Sequence, residues 1–154
     1  MALLGIISDT HGTLDAAVYE AFSNVDVIVH AGDIGPRSLL WELEAIAPVV
    51  AVKGNNDWVD YGSAVGESAT PEIGGVELFV SHFPEDAEEA ARFGGYGLAI
   101  HGHTHVPREE LVGATKLLCP GSASRPRAGS DPSVMLVRLQ DGVAGPVRLV
   151  SLLD

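Results

Sequence analysis

The chain has 154 residues, a formal charge of −12 and 46% hydrophobic residues, enough to bury a core without disulfides or structural metal. Such acidity excludes partnership with long nucleic acids, which need a basic patch, and no apolar run reaches the roughly 20 residues that span a bilayer. The lone cysteine, Cys119, excludes an intramolecular disulfide and fits a reducing compartment. No basic segment precedes the first apolar run, so the expectation is a cytoplasmic protein of one domain, residues 1–154.

In chain order, residues 2–8 (ALLGIIS) read as a buried strand ending at Asp9, Thr10, His11 and Gly12. Residues 13–23 place Leu14, Ala17, Val18, Ala21 and Phe22 on one helical face, with Thr13 as the N-cap. A strand at 26–30 runs into Ala31, Gly32 and Asp33. Pro36 then opens a helix over 36–46 whose stripe is Leu39, Leu40, Leu43 and Ile46. A third strand (48–53) meets Gly54, Asn55, Asn56 and Asp57, and a fourth (76–82) ends at Ser81, His82 and Phe83. The acidic helix 84–93 is closed by Gly94 and Gly95, and a fifth strand (97–100) runs into His101, Gly102, His103, Thr104 and His105.

Strands alternating with helices predict βαβ units and a largely parallel sheet. Beyond residue 105 the helices stop, and strands at 108–112, 115–119, 133–139 and 146–153 predict antiparallel hairpins that build a second sheet packed on the first. The loop 120–133 is the segment expected to be mobile.

Three histidines at alternate positions, 101, 103 and 105, are costly as bare surface or core, because every ring nitrogen needs a partner and charged rings repel. The carboxyl ends of the strands in an open α/β sheet share one edge. There Asp9, His11, Asp33, Asn55, Asp57, His82, His103 and His105 would assemble an oxygen and nitrogen donor set without thiolate, suited to Mn²⁺, Fe²⁺ or Zn²⁺. Asp9 and His11, like His103 and His105, stand two residues apart and leave an extended chain on the same side. So many donors exceed the needs of one ion and match two, bridged by a carboxylate such as Asp33.

The blocks D-x-H (9–11), G-D (32–33), G-N-x-D (54–57), His82 and G-H-T-H (102–105), in this order, resemble the calcineurin-like metallophosphoesterases. The compact size and PGS at 120–122 followed by RPR are similar to the small bacterial and archaeal phosphodiesterases of the YfcE type. That resemblance implies an α/β fold of two packed β-sheets flanked by helices, an αββα sandwich. It implies that Asp9, His11 and His105 hold one divalent metal, Asn55, His82 and His103 the other, and that Asp33 bridges them. Mn²⁺ is the expected ion, with Fe²⁺, Zn²⁺ and Ni²⁺ as alternatives. The activity implied is hydrolysis of a small phosphodiester by a hydroxide generated at the binuclear centre, with Asp33 and Asn56 as catalytic residues and Asn55, Asn56 and Arg125 on the substrate. A phosphomonoesterase with the same metals is one alternative. A non-catalytic interaction scaffold, as in the retromer subunit of this fold, is the other.

Two positions depart from the pattern. Asn56 stands where larger members carry a histidine thought to assist the leaving group, and a carboxamide cannot donate a proton as an acid. Phe83 follows His82 where glycine is common. His30, His101 and Asp57 are expected to support the ligands rather than bind metal, and Trp41 or Trp58 could serve a homo-oligomer.

Overall fold

A computed structural model describes residues 1–153. Five strands, β1 (Ala2–Ile7), β2 (Val27–His30), β3 (Val49–Ala51), β10 (Ser133–Gln140) and β11 (Val143–Ser151), form one sheet in the order β11-β10-β1-β2-β3. The second sheet runs β4 (Ser68–Ala69), β6 (Val76–Ser81), β7 (Leu98–Ile100), β9 (Thr115–Pro120) and β8 (Pro107–Val112), with β5 (Glu72–Ile73) paired to β6. Three helices, α1 (Ala16–Ala21), α2 (Arg37–Glu44) and α3 (Pro84–Phe93), complete the described elements. None is long and apolar enough to cross a membrane.

Alternation along β1 assigns the layers. Leu4 and Ile6 point into the core between the sheets, with Val29, Leu78, Val80, Ile100, Leu118, Val137 and Leu139. Ile7 points the other way, under α1 and α2, to Val18, Phe22, Ile28, Leu39 and Leu43. A smaller cluster, Ala87, Ala91, Ala99 and Leu117, seats α3 on the outer face of the second sheet. Strands buried on both faces read as continuous apolar runs, and each fully buried Leu or Ile contributes about 1.5–3 kcal/mol. The result is two β-sheets face to face with helices outside.

Both sheets are mixed, which corrects the division expected from the sequence. The strands after residue 105 do not form a sheet of their own: β9 lies parallel to β7 with β8 on the edge, while β10 joins the first sheet antiparallel to β1 and β11 pairs antiparallel to β10. Hydrophobic alternation identifies a strand but not its neighbour, and each sheet here takes a parallel centre and an antiparallel edge. α1 is also shorter than the 13–23 reading. Thr13 donates its backbone N–H to Thr10 O (2.9 Å) in a turn, and Asp15 caps the helix by accepting from Ala17 N (2.8 Å). β4 and β5 fall between the third and fourth expected strands, where the sequence analysis placed no element, and two-residue strands carry no periodicity.

Candidate metal centre

Asp9, Asp33, Asn55, His82 and the pair His103 and His105 follow β1, β2, β3, β6 and β7. These ends belong to two sheets rather than one. β1, β2 and β3 run parallel, as do β6 and β7, so face-to-face packing brings five polar clusters to one end of the sandwich.

The local chain is not extended there, contrary to the same-side reading of D-x-H and H-T-H. Asp9 (φ 53°), His11 (47°), Asp33 (57°), His103 (76°) and His105 (63°) all occupy the left-handed region, which only Ala128 and Asp141 share among the described non-glycine residues. Such conformations cost about 1–3 kcal/mol each and persist where surrounding contacts over-determine them. Here those contacts are numerous. Ser122 Oγ donates to Asp9 O (2.7 Å) and Ser124 Oγ to Thr10 O (2.8 Å), while Arg127 N donates to His105 O (3.2 Å). These bonds tie Ser122, Ser124 and Arg127 of the 120–133 loop to the site. Gly54 and Gly102 have a steric reason: a Cβ at Gly54 would collide with the Asp33 carboxylate, and one at Gly102 with Ser8 Oγ.

Hydrogen bonds fix the tautomer of two rings, because a carbonyl can only accept. His82 Nδ1 donates to Ala31 O (2.8 Å) and His105 Nδ1 to Arg125 O (2.6 Å). In the neutral rings Nε2 is then a bare lone pair. Burial lowers the pKa of His105 and of His11, and the charges of Arg127 and Arg125 act in the same direction. His105 Nε2 faces His11 Nε2 at 3.3 Å and Asp9 Oδ1 at 3.2 Å, while His82 Nε2 faces Asn55 Oδ1 at 3.0 Å.

Asp9 is fully buried, and its Oδ2 accepts from Ser8 Oγ (2.6 Å) and His103 N (3.1 Å). Its Oδ1 has no hydrogen-bond partner. An orphaned buried carboxylate oxygen is expensive, and burial accordingly pushes Asp9 up to about 6. A cation beside Asp9 Oδ1 and His105 Nε2 would answer both lone pairs at once. Asp9, His11, Asp33 and His105 each offer a ligand atom within 4.8 Å of one another.

Asp33 Oδ2 stands 3.7 Å from His11 Nε2 and 3.6 Å from His82 Nε2, midway between the two groups of donors. Burial alone would raise Asp33; the Asn56 hydrogen bonds, to Oδ1 from the backbone N–H and to Oδ2 from Nδ2, both 2.9 Å, hold it below its ordinary value. Asn56 therefore clamps Asp33, a contact the sequence reading did not foresee. His103 lies at the exposed margin, its ring 5.2 Å from that of His82, outside the tight four-residue group. Arg125 and Arg127 are exposed on the loop beside His105. A groove of about 690 Å³ lies elsewhere, lined by Leu3, Leu136, Arg138 and Arg148 among others.

Three further residues match the supporting roles expected of them. Asp57 accepts from the backbone amides of Asp33, Ile34, Gly35 and Gly54 at 2.8–3.3 Å, so one carboxylate ties the β2 turn to the β3 turn. His30 accepts from Gly32 N (3.1 Å) and bonds Thr10 Oγ1 (3.0 Å). His101 Nδ1 donates to Gly102 O (2.7 Å) while its Nε2 accepts from Arg108 Nη1 (3.2 Å). Sequence reasoning missed Ser8, Ser122 and Ser124, which hold Asp9; a serine beside a ligand is too common to stand out.

Comparison with known proteins agrees with this arrangement. The model of the calcineurin-like phosphoesterase superfamily domain matches residues 2–142; the chain belongs to that superfamily. A probable metallophosphoesterase of Methanothermobacter thermautotrophicus is 38% identical over 149 residues, covering 89% of this chain and 86% of its own. A structure described as a novel archaeal phosphodiesterase shares the fold with TM-score 0.79 at 23% identity, over 96% of this chain and 99% of that one. Vacuolar protein sorting 29 of Cryptosporidium parvum shares it too, at TM-score 0.76 and 20% identity over 97% and 98% of the two chains.

Proposed function

We propose that the protein is a cytoplasmic, metal-dependent phosphodiesterase acting on small phosphodiesters. The observation that carries this reading is the partnerless buried Asp9 Oδ1 among bare histidine Nε2 atoms. Asp9, His11 and His105 would hold one divalent ion and Asn55, His82 and His103 a second, with Asp33 shared; Mn²⁺ suits this oxygen and nitrogen set. The chemistry such ions would supply there is a nucleophile from water near neutral pH and neutralisation of phosphoryl charge. The chain's own contribution is geometry. Asn56 keeps Asp33 ionised and oriented, its second amide hydrogen remains free for a phosphoryl oxygen, and Arg125 offers a bidentate donor to the same group.

The diester is preferred because position 56 provides no acid for a poor leaving group. The scaffold reading is disfavoured because all seven expected donor residues are present. The test is hydrolysis of bis(p-nitrophenyl) phosphate and p-nitrophenyl phosphate by metal-stripped protein given Mn²⁺, Ni²⁺, Zn²⁺ or Mg²⁺ separately. The expected result is metal-restored turnover, faster on the diester. A faster monoester would make the enzyme a phosphomonoesterase, and absence of metal binding would leave the scaffold.

A further inference from the structure

Phe83 occupies a position that nothing in the local fold demands. It is the N-cap residue of α3, with extended backbone (φ −87°, ψ 135°) and no side-chain capping bond. A Ser, Thr, Asp or Asn there would stabilise the helix by about 1 kcal/mol. The ring is absent from all three hydrophobic clusters and is 38% exposed. It lies instead against the candidate centre, 5.3 Å from the His82 ring, edge-on at 79°, and 5.3 Å from the His103 ring. His82 and His103 are themselves edge-on at 80°, 5.2 Å apart, so the three rings form one mutually contacting cluster in which Phe83 is partly exposed.

The opposite group of donors has a different border. His11 and His105 lie beside the exposed Arg125 and Arg127, and neither arginine makes an ion pair with a carboxylate among the described residues. The candidate centre is thus bordered by exposed arginines beside His11 and His105 and by the partly exposed Phe83 ring beside His82 and His103. Aromatic rings pair with planar π systems in offset or edge arrangements worth about 0.5–1.5 kcal/mol beyond area burial. A saturated group of the same size gains only the burial.

We propose that Phe83 is a specificity residue which selects phosphoesters carrying a planar aromatic ester group, seated on its ring while the phosphoryl group lies at the centre. This rests on the phosphoesterase reading above, so binding and turnover are measured separately.

The test is calorimetric titration of the full chain, loaded with Mn²⁺, with phenylphosphonate and cyclohexylphosphonate, which share a head group and differ in planarity. Phenylphosphonate should bind about fivefold tighter. Phe83→Ala should bring the two within about twofold, and Phe83→Trp should restore the gap, with bound metal unchanged by elemental analysis in each variant. Equal affinities in the wild type, binding of neither phosphonate, or a gap that survives Phe83→Ala overturns the proposal. Loss of metal from Phe83→Ala with equal weakening of both ligands overturns it too, making the ring a prop for His103. Turnover of phenyl and cyclohexyl p-nitrophenyl phosphate is followed alongside. A phosphonate gap without turnover on either diester sinks the phosphodiesterase reading and leaves the aromatic preference standing.

Discussion

His82 and His105 end strands in the same way as His30 and His101, and all four are buried, yet they belong to two kinds. His30 and His101 each have both ring nitrogens matched by a protein donor or acceptor. His82 and His105 have one nitrogen fixed by a carbonyl, and the other aimed at a further lone pair. The carboxylates divide likewise. Asp57 is surrounded by four backbone amides and the Tyr61 hydroxyl, 3.0 Å away, whereas Asp9 Oδ1 is buried with nothing to accept. Burial and residue type do not separate structural from functional groups here; unanswered lone pairs do.

The division is broken most directly at Asp33 and Asp57, two carboxylates in neighbouring turns. Asp33→Asn should lower turnover by more than about 100-fold, since even partners that only orient metal ligands typically cost 10–100-fold. Its bound metal should fall while the urea midpoint of the metal-free chain moves little. Asp57→Ala should do the reverse to stability: four backbone N–H groups lose their acceptor, costing about 3 kcal/mol and lowering Tm by roughly 10 °C for a chain of this size. An Asp57→Ala protein as stable as the wild type, or an Asp33→Asn protein with full metal and turnover, would erase the distinction.

Much of the donor set was legible in the sequence because its signal is ordered: five short blocks, each at the end of an apolar run. What could not be read was how the blocks approach one another. Asp9 and His11 look extended in D-x-H, yet both are left-handed, because the turn is imposed by Gly32 O, Asp33 O and the serines of the 120–133 loop. Those partners lie 22 to 115 residues away. Sheet membership failed for the same reason. Thr115–Pro120 and Ser133–Gln140 have similar apolar content, and only the packed structure sends one to β7 and the other to β1. Asn56 was read by its chemistry alone, and its clamp on Asp33 depends on that same fold.

His30 gives the comparison a pH signature. Burial pulls its pKa from 6.5 down to about 3, and the neighbouring His82 acts in the same direction. The unfolded chain takes up this proton below pH 6.5 and the folded chain does not until about pH 3. The contribution is therefore intact above pH 6.5 and lost as the pH falls toward 3, with a slope approaching about 1.4 kcal/mol per unit. Urea midpoints of metal-free wild type and His30→Gln across this window check it. The mutant should lose that part of the slope, and an unchanged slope would assign the acid limb to another group.

The smallest effect is expected at Arg108, and it tests whether His101 has been placed in the right class. Arg108 Nη2 reaches Glu88 (3.1 Å) and Glu110 (3.0 Å), but its side chain is 26% exposed and the glutamates 37% and 52%. Solvent screening holds such pairs to about 1 kcal/mol or less. Arg108→Met removes them together with the donor to His101 Nε2, while the Nδ1 bond to Gly102 O, which steadies the turn carrying His103 and His105, is untouched. Stability should drop by no more than about 1 kcal/mol, and bound metal should equal that of the wild type. If Arg108→Met instead sheds metal, then His101 transmits its orientation to the centre, and full partnering of a ring would no longer mark it as merely structural.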